Sequence, residues 1–144
     1  MAAEPPHIAQ RRLLRARDTM DRCYADALDV EWLARSVALS RAHFIRSFHA
    51  TFGETPHRYL QRRRIERAMA LLRQTERSVT EICLDVGFRS LGTFSRTFYD
   101  VMGESPSVYR RRERATPPRG DVPACIAMAW DRPASTLERT LAAQ

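Results

Sequence analysis

The stretch "FIRSFHATFGETPHRYL" (residues 44–60) returns fifty residues later as "FSRTFYDVMGESPSVYR" (residues 94–110), with seven of the seventeen positions unchanged. Phe44, Phe48 and Phe52 recur every four residues, as do Phe94, Phe98 and Met102, a spacing that gathers each trio on one side of a helix and turns it inward. Gly53 and Gly103 follow, where glycine can take the left-handed conformation that ends a helix. Thr55-Pro56 and Ser105-Pro106 then provide an N-cap and a first-turn proline for the next helix.

Upstream, each copy opens in the same way. Asp29 can cap a helix whose apolar residues are Trp32, Leu33, Ala34 and Val37, and Ser78 with Glu81 forms a capping box ahead of Ile82, Cys83 and Val86. The connections "ALS" and "GFRS" are too short for anything but a tight turn, and Ser40 and Ser90 stand where the following helix begins. Each copy therefore reads helix, turn, helix, stop, helix. A helix-turn-helix needs small residues where its helices cross, here Ala34 and Cys83, and a sharp turn between them, here holding Ala38 and Gly87. A hairpin repeat that merely builds a bundle is the plainer alternative, but two copies crossed by one basic block favour a nucleic-acid reader.

That block is visible in the distribution of charge. The chain of 144 residues carries a net charge of +7. Residues 35–115 hold sixteen arginines against eight acids, while residues 1–34 hold five against six and the remainder three against three. There is no lysine, so composition explains the choice of arginine but not its placement. Cys23, Cys83 and Cys125 lie far apart and read as reduced small hydrophobes with no metal site. His7, His43, His49 and His57 have no nucleophile or carboxylate at catalytic spacing, and no glycine-rich loop cradles phosphate, so neither an enzyme nor a cofactor is expected. No apolar run approaches membrane-helix length and "MAAEPPH" lacks the regions of a signal peptide, so a cytoplasmic location is expected.

"LARSVALSRAHFIRSF", the bridge "PHRYLQRRRIERAMALL" and above all "VTEICLDVGFRSLGTFSRTFYDVMGESPSVYR" resemble the DNA-binding domain of the AraC/XylS family of bacterial transcription regulators. The resemblance runs from about His7 to about Arg112. It implies an all-α fold of seven helices in two helix-turn-helix subdomains, residues 7–55 and 76–114, joined by a long bridging helix over 56–75. An opening amphipathic helix over 8–24 (Ile8, Leu13, Leu14, Met20, Tyr24) and a stretch free of Gly and Pro over 56–74 support the same count. At 1.5 Å per residue the bridge is roughly 28 Å long, against the ~34 Å between successive major-groove faces, so DNA gripped by both halves is expected to bend. One chain would then do what other regulators need a dimer to do, with double-stranded DNA as partner and RNA polymerase as a candidate second one.

With the phenylalanines inward, the outward face of the first recognition helix is Arg41, Ala42, Ile45, Arg46 and His49, and that of the second is Leu91, Gly92, Ser95, Arg96 and Tyr99. The resemblance places such positions in the major groove, with Arg46 and Arg96 able to grip guanine and Ala42, Ile45, His49, Gly92 and Ser95 beside them. Ser40, Arg41, Arg89, Ser90, Arg110, Arg111 and Arg112 are expected to hold phosphates. Arg62, Arg63, Arg64 and Arg67 point to different faces of the bridge, with Glu66 or Glu76 as competing partners. Ala42 and Ile45, and Leu91 with Gly92, depart from the polar or aromatic groups of some relatives, so a known operator is not carried over.

Residues 115–144 fall outside the resemblance: "TPPRGDVP" reads as a linker, "ACIAMAW" as a short strand, and Ser135 to Glu138 as the cap of a last short helix. Trp130, Met128 and Ile126 are expected to pack on the helical domain. Starting at its own Met1, the chain is expected to be a small stand-alone member. A nonspecific nucleoid-type or adaptor protein on the same fold is the alternative function.

Overall fold

The computed structural model describes residues 5–116, and the described chain consists of helices and the turns between them. In order these are α1 (Pro6–Arg22), α2 (Val30–Ser36), α3 (Arg41–Phe52), α4 (Pro56–Gln74), α5 (Val79–Asp85), α6 (Leu91–Met102) and α7 (Pro106–Ala115), the seven the sequence predicts. The expected strand, last helix and packing of Trp130 lie outside the described residues.

Local chemistry sets most of the boundaries. Asp29, Ser40, Ser90 and Ser105 accept the backbone N–H of Trp32, His43, Thr93 and Val108, and the Thr55 hydroxyl accepts that of Arg58 at 3.3 Å. Ser78 and Glu81 exchange both bonds of a capping box, at 3.1 and 2.7 Å. The hydrogen bond that the Ser78 backbone N–H donates to it, then that of the Ser78 hydroxyl, hold the Glu81 carboxyl below the usual carboxylate range. α3 and α6 both stop at a left-handed glycine, Gly53 at φ 78° and Gly103 at φ 75°.

The turn inside each helix-turn-helix closes identically. Leu39 donates to the Ala34 carbonyl at 2.9 Å and Ala38 to that of Arg35 at 3.0 Å; Phe88 donates to Cys83 at 3.0 Å and Gly87 to Leu84 at 3.1 Å. This is the paired closure of a Schellman motif, and it forces its central residue into the left-handed region. Gly87 takes φ 97° at no steric cost, whereas Ala38 holds φ 57° with a Cβ.

The described residues form two compact units, dividing within α4 between Leu60 and Gln61. In the first, Leu13, Ala16 and Met20 of α1 bury against Leu33, Ala34 and Val37 of α2 and Phe44, Phe48 and Phe52 of α3. Phe48 is the hinge of the aromatic packing, with ring centroids 5.6 Å from Phe44, 4.5 Å from Phe52 and 5.7 Å from Tyr59. Each such ring removed from water contributes roughly 1.5–3 kcal/mol. Trp32 departs from the expected inward face, being 46% exposed. The buried row of α2 is Leu33, Ala34 and Val37, and Trp32 sits about 100° away from Leu33 at the solvent edge.

The second unit repeats the plan with Ile82, Cys83 and Val86 of α5, Phe94 and Phe98 of α6, and Ile65, Ala68, Met69 and Leu72 of α4. Phe98 lies 5.9 Å from Phe94 and 5.5 Å from the fully buried Tyr109, matching Phe48 with Phe44 and Tyr59. Met102 is only half-buried, unlike Phe52.

Two outcomes follow from the turns and caps. Ala38→Gly should raise stability by about 1 kcal/mol, several degrees in Tm for a domain of this size, and Gly87→Ala should lower it by at least as much, both read by thermal unfolding. The depressed Glu81 carboxyl contributes stability that is complete above the ordinary carboxylate pKa and is lost as pH falls through its lower folded value. Glu81→Gln should therefore flatten the acid limb of the stability-versus-pH curve in urea titrations.

Candidate nucleic-acid interface

Because Phe44 and Phe48 are pinned inward, and Phe94 and Phe98 likewise, α3 and α6 present their remaining residues in the same order. Residues 41–43 and 91–93 are exposed, Ile45 and Ser95 half-buried, Arg46 and Arg96 exposed, and His49 and Tyr99 exposed. Ala42, Ile45, Arg46 and His49 thus share one face of α3, and Gly92, Ser95 and Arg96 one face of α6. Neither the Arg46 nor the Arg96 side chain has a hydrogen bond or ion pair with any described residue. A guanidinium left without an internal partner keeps all five donors for an external acceptor.

Around these faces lie donors suited to an anion. Ser40 and Ser90 cap α3 and α6, leaving further N–H groups at each helix start without intrahelical partners. Arg41 and Arg89 are exposed beside them. Arg64, 8% exposed with its guanidinium 5.9 Å from the Phe88 ring, has its pKa lowered first by burial and then by the charge of Arg89. The second unit therefore concentrates positive charge at the start of α6.

Other arginines serve the fold. Arg110 donates from Nε to the Leu72 carbonyl at 3.2 Å and from Nη2 to that of Arg77. Arg112 is held by Glu104 at 2.7 Å and Glu113 at 3.0 Å and stacks over Tyr109, and the hydrogen bond it donates to Glu104 raises its pKa. Arg114 reaches the Thr75 carbonyl at 2.8 Å and Glu76. Arg110 and Arg114 thereby satisfy carbonyls at and beyond the end of α4. On α7 this leaves Arg111 exposed and without a described partner.

In the run on α4, Arg62 and Arg63 pair with Glu66 at 2.7 and 2.5 Å, and Arg67 is exposed with no described partner. Sequence spacing marks Glu66 as a partner but does not single out Arg67. Among the described residues no group of His, Cys, Asp or Glu could hold a metal ion, and no helix is long and apolar enough to cross a membrane.

Residues 33–112 match the model of a family described as a helix-turn-helix domain. The chain is 34% identical over 85 residues to the regulatory protein SoxS of Escherichia coli K12, covering 59% of this chain and 79% of SoxS. It is 40% identical over 87 residues to the MmsAB operon regulatory protein of Pseudomonas aeruginosa, covering 60% of this chain and 28% of that protein, so it spans less than a third of that relative's length. Among solved structures, the DNA-binding domain of the global transcriptional factor AdpA, determined in complex with a target DNA, aligns at TM-score 0.69 and 32% identity over 76% of this chain and 98% of its own. An AraC-type regulator from Chromobacterium violaceum aligns at TM-score 0.68 and 31% identity over 76% and 97%.

Arg110→Ala should destabilise the second unit by about 1 kcal/mol, since water can replace part of what the carbonyls lose, whereas Arg111→Ala should stay within about 0.5 kcal/mol of the parent. Urea unfolding of the two variants separates these outcomes.

Proposed function

Because the chain belongs to the AraC/XylS family of helix-turn-helix transcription regulators, we propose that it reads double-stranded DNA in a sequence-specific way, with α3 in one major groove and α6 in the next. The observation that carries this reading is the duplication of one exposed face on two helices, each with an unpartnered arginine in the same place. Arg46 and Arg96 each grip a guanine by two hydrogen bonds, while Ala42, Ile45, His49, Gly92 and Ser95 touch the neighbouring base edges. Ser40, Arg41, Arg89, Ser90 and Arg111 hold phosphates and set the register. Arg110 and Arg112 add positive charge, but their donors are committed to Leu72, Arg77, Glu104 and Glu113.

The chain acts on DNA as a monomer, in the cytoplasm, with no catalytic step and no cofactor, and RNA polymerase is the second partner a regulator of this kind would meet. The second reading, a nonspecific nucleoid-type binder, draws on one observation: the outward face of α6 exposes Leu91 and Gly92 where hydrogen-bonding groups would be expected.

Competition between a duplex selected from a random library and unselected duplex separates the two readings, and equal affinity for both would sink the first. Arg96→Ala should cost about 1–3 kcal/mol on the selected duplex and relax preference at one base pair. Uniform weakening on every sequence would make Arg96 a phosphate contact instead. Affinity should also fall steeply with salt, as counterion release by the arginines requires.

A further inference from the structure

Gly92 occupies the second position of α6, exposed and helical, and a methyl group built on it would meet no heavy atom within 4 Å. Gly53, Gly87 and Gly103 have positive φ, which explains why glycine stands there; Gly92 does not. Glycine inside a helix weakens it relative to alanine, and the corresponding place on α3 is Ala42. The protein's own packing and backbone therefore give no reason for glycine at 92. Beside it the apolar Leu91 is 44% exposed where α3 carries Arg41, and two turns on Tyr99 is 59% exposed where α3 carries His49. The Tyr99 side chain has no hydrogen bond or ring contact with any described residue.

We infer that α6 reads its half-site by close approach: the missing side chain of Gly92 lets the first turn of the helix settle against the base edges, and Leu91 beside it covers a thymine methyl. Of the four bases only thymine presents a methyl in the major groove, and an exposed leucine that excludes water around it distinguishes thymine without a hydrogen bond. Arg96 remains the hydrogen-bonding reader of the same helix. The inference rests on the DNA-reading proposal above and assigns to its second half a class of target, a guanine accompanied by a thymine that is sensed through its methyl.

The test uses the intact chain, a duplex selected by it from a random library, and copies of that duplex in which single thymines are replaced by uracil, which removes only the methyl. Gly92→Ala should melt at or above the parent temperature, as alanine favours the helix, yet bind the selected duplex at least tenfold more weakly. One uracil replacement in the half-site read by α6 should weaken the parent about three- to tenfold, the size expected for one buried methyl, and Leu91→Ala should no longer distinguish uracil from thymine there. Parent-like binding by a folded Gly92→Ala, or a half-site in which no uracil replacement matters, overturns the inference; the second readout needs no variant. If the parent binds selected and random duplexes alike, the DNA-reading proposal itself fails and the inference falls with it, an outcome distinct from a discriminating parent with an indifferent Gly92→Ala.

Discussion

The orientation of both candidate reading helices depends on the burial of two phenylalanines, one turn apart, against a tyrosine from the following helix. Phe44 and Phe48 with Tyr59, and Phe94 and Phe98 with Tyr109, pack edge-on or tilted with centroids between 5.5 and 5.9 Å. A ring that large cannot be turned toward water without losing several kcal/mol, so the rotation of each helix about its own axis is fixed by its core face. The outward face follows as a remainder. This is why α3 and α6, which share few outward residues, expose the same positions.

The tyrosines show how one packing solution accommodates different polar surroundings. The Tyr59 hydroxyl donates to Asp21 Oδ1 at 2.7 Å, while the Tyr109 hydroxyl accepts from Arg73 Nη1 at 2.6 Å. A phenol can do either, so the buried ring keeps its place whether its neighbour is an acid or a base. Burial pushes the Tyr109 hydroxyl above its ordinary pKa, with Arg73 opposing, and the group stays neutral and able to bridge. The turns show similar tolerance at a cost: the same Schellman closure is built once with glycine and once with Ala38 under strain.

Arginine serves two purposes here, and the division between them gives the charge its meaning. Arg110 and Arg114 bind α7 to the end of α4 and the segment beyond it, and Arg112 is engaged with Glu104 in the turn before α7 and with Glu113. The side chains of Arg46, Arg96, Arg41 and Arg111 have no partner among the described residues, so their donors stay available to an external acceptor. A net charge alone cannot make this distinction, because committed and uncommitted arginines count equally.

Much of the fold was legible in the sequence because it is written in local chemistry. The four-residue spacing of Phe44, Phe48 and Phe52, the caps Asp29, Ser40, Ser78, Ser90 and Ser105, and the stops Gly53 and Gly103 act within one or two turns of chain, so seven helices and most of their inward residues could be read directly. The outward positions of Arg46 and Arg96 follow from the same periodicity. Only the tertiary structure decided which arginines are committed, since Arg110 meets Leu72 and Arg114 meets Glu76 across 38 residues of chain. It likewise decided that Trp32 sits outside the buried row of α2, and that nothing in the protein's own packing requires glycine at 92. Such facts depend on which distant groups arrive beside a side chain, and no local pattern carries that information.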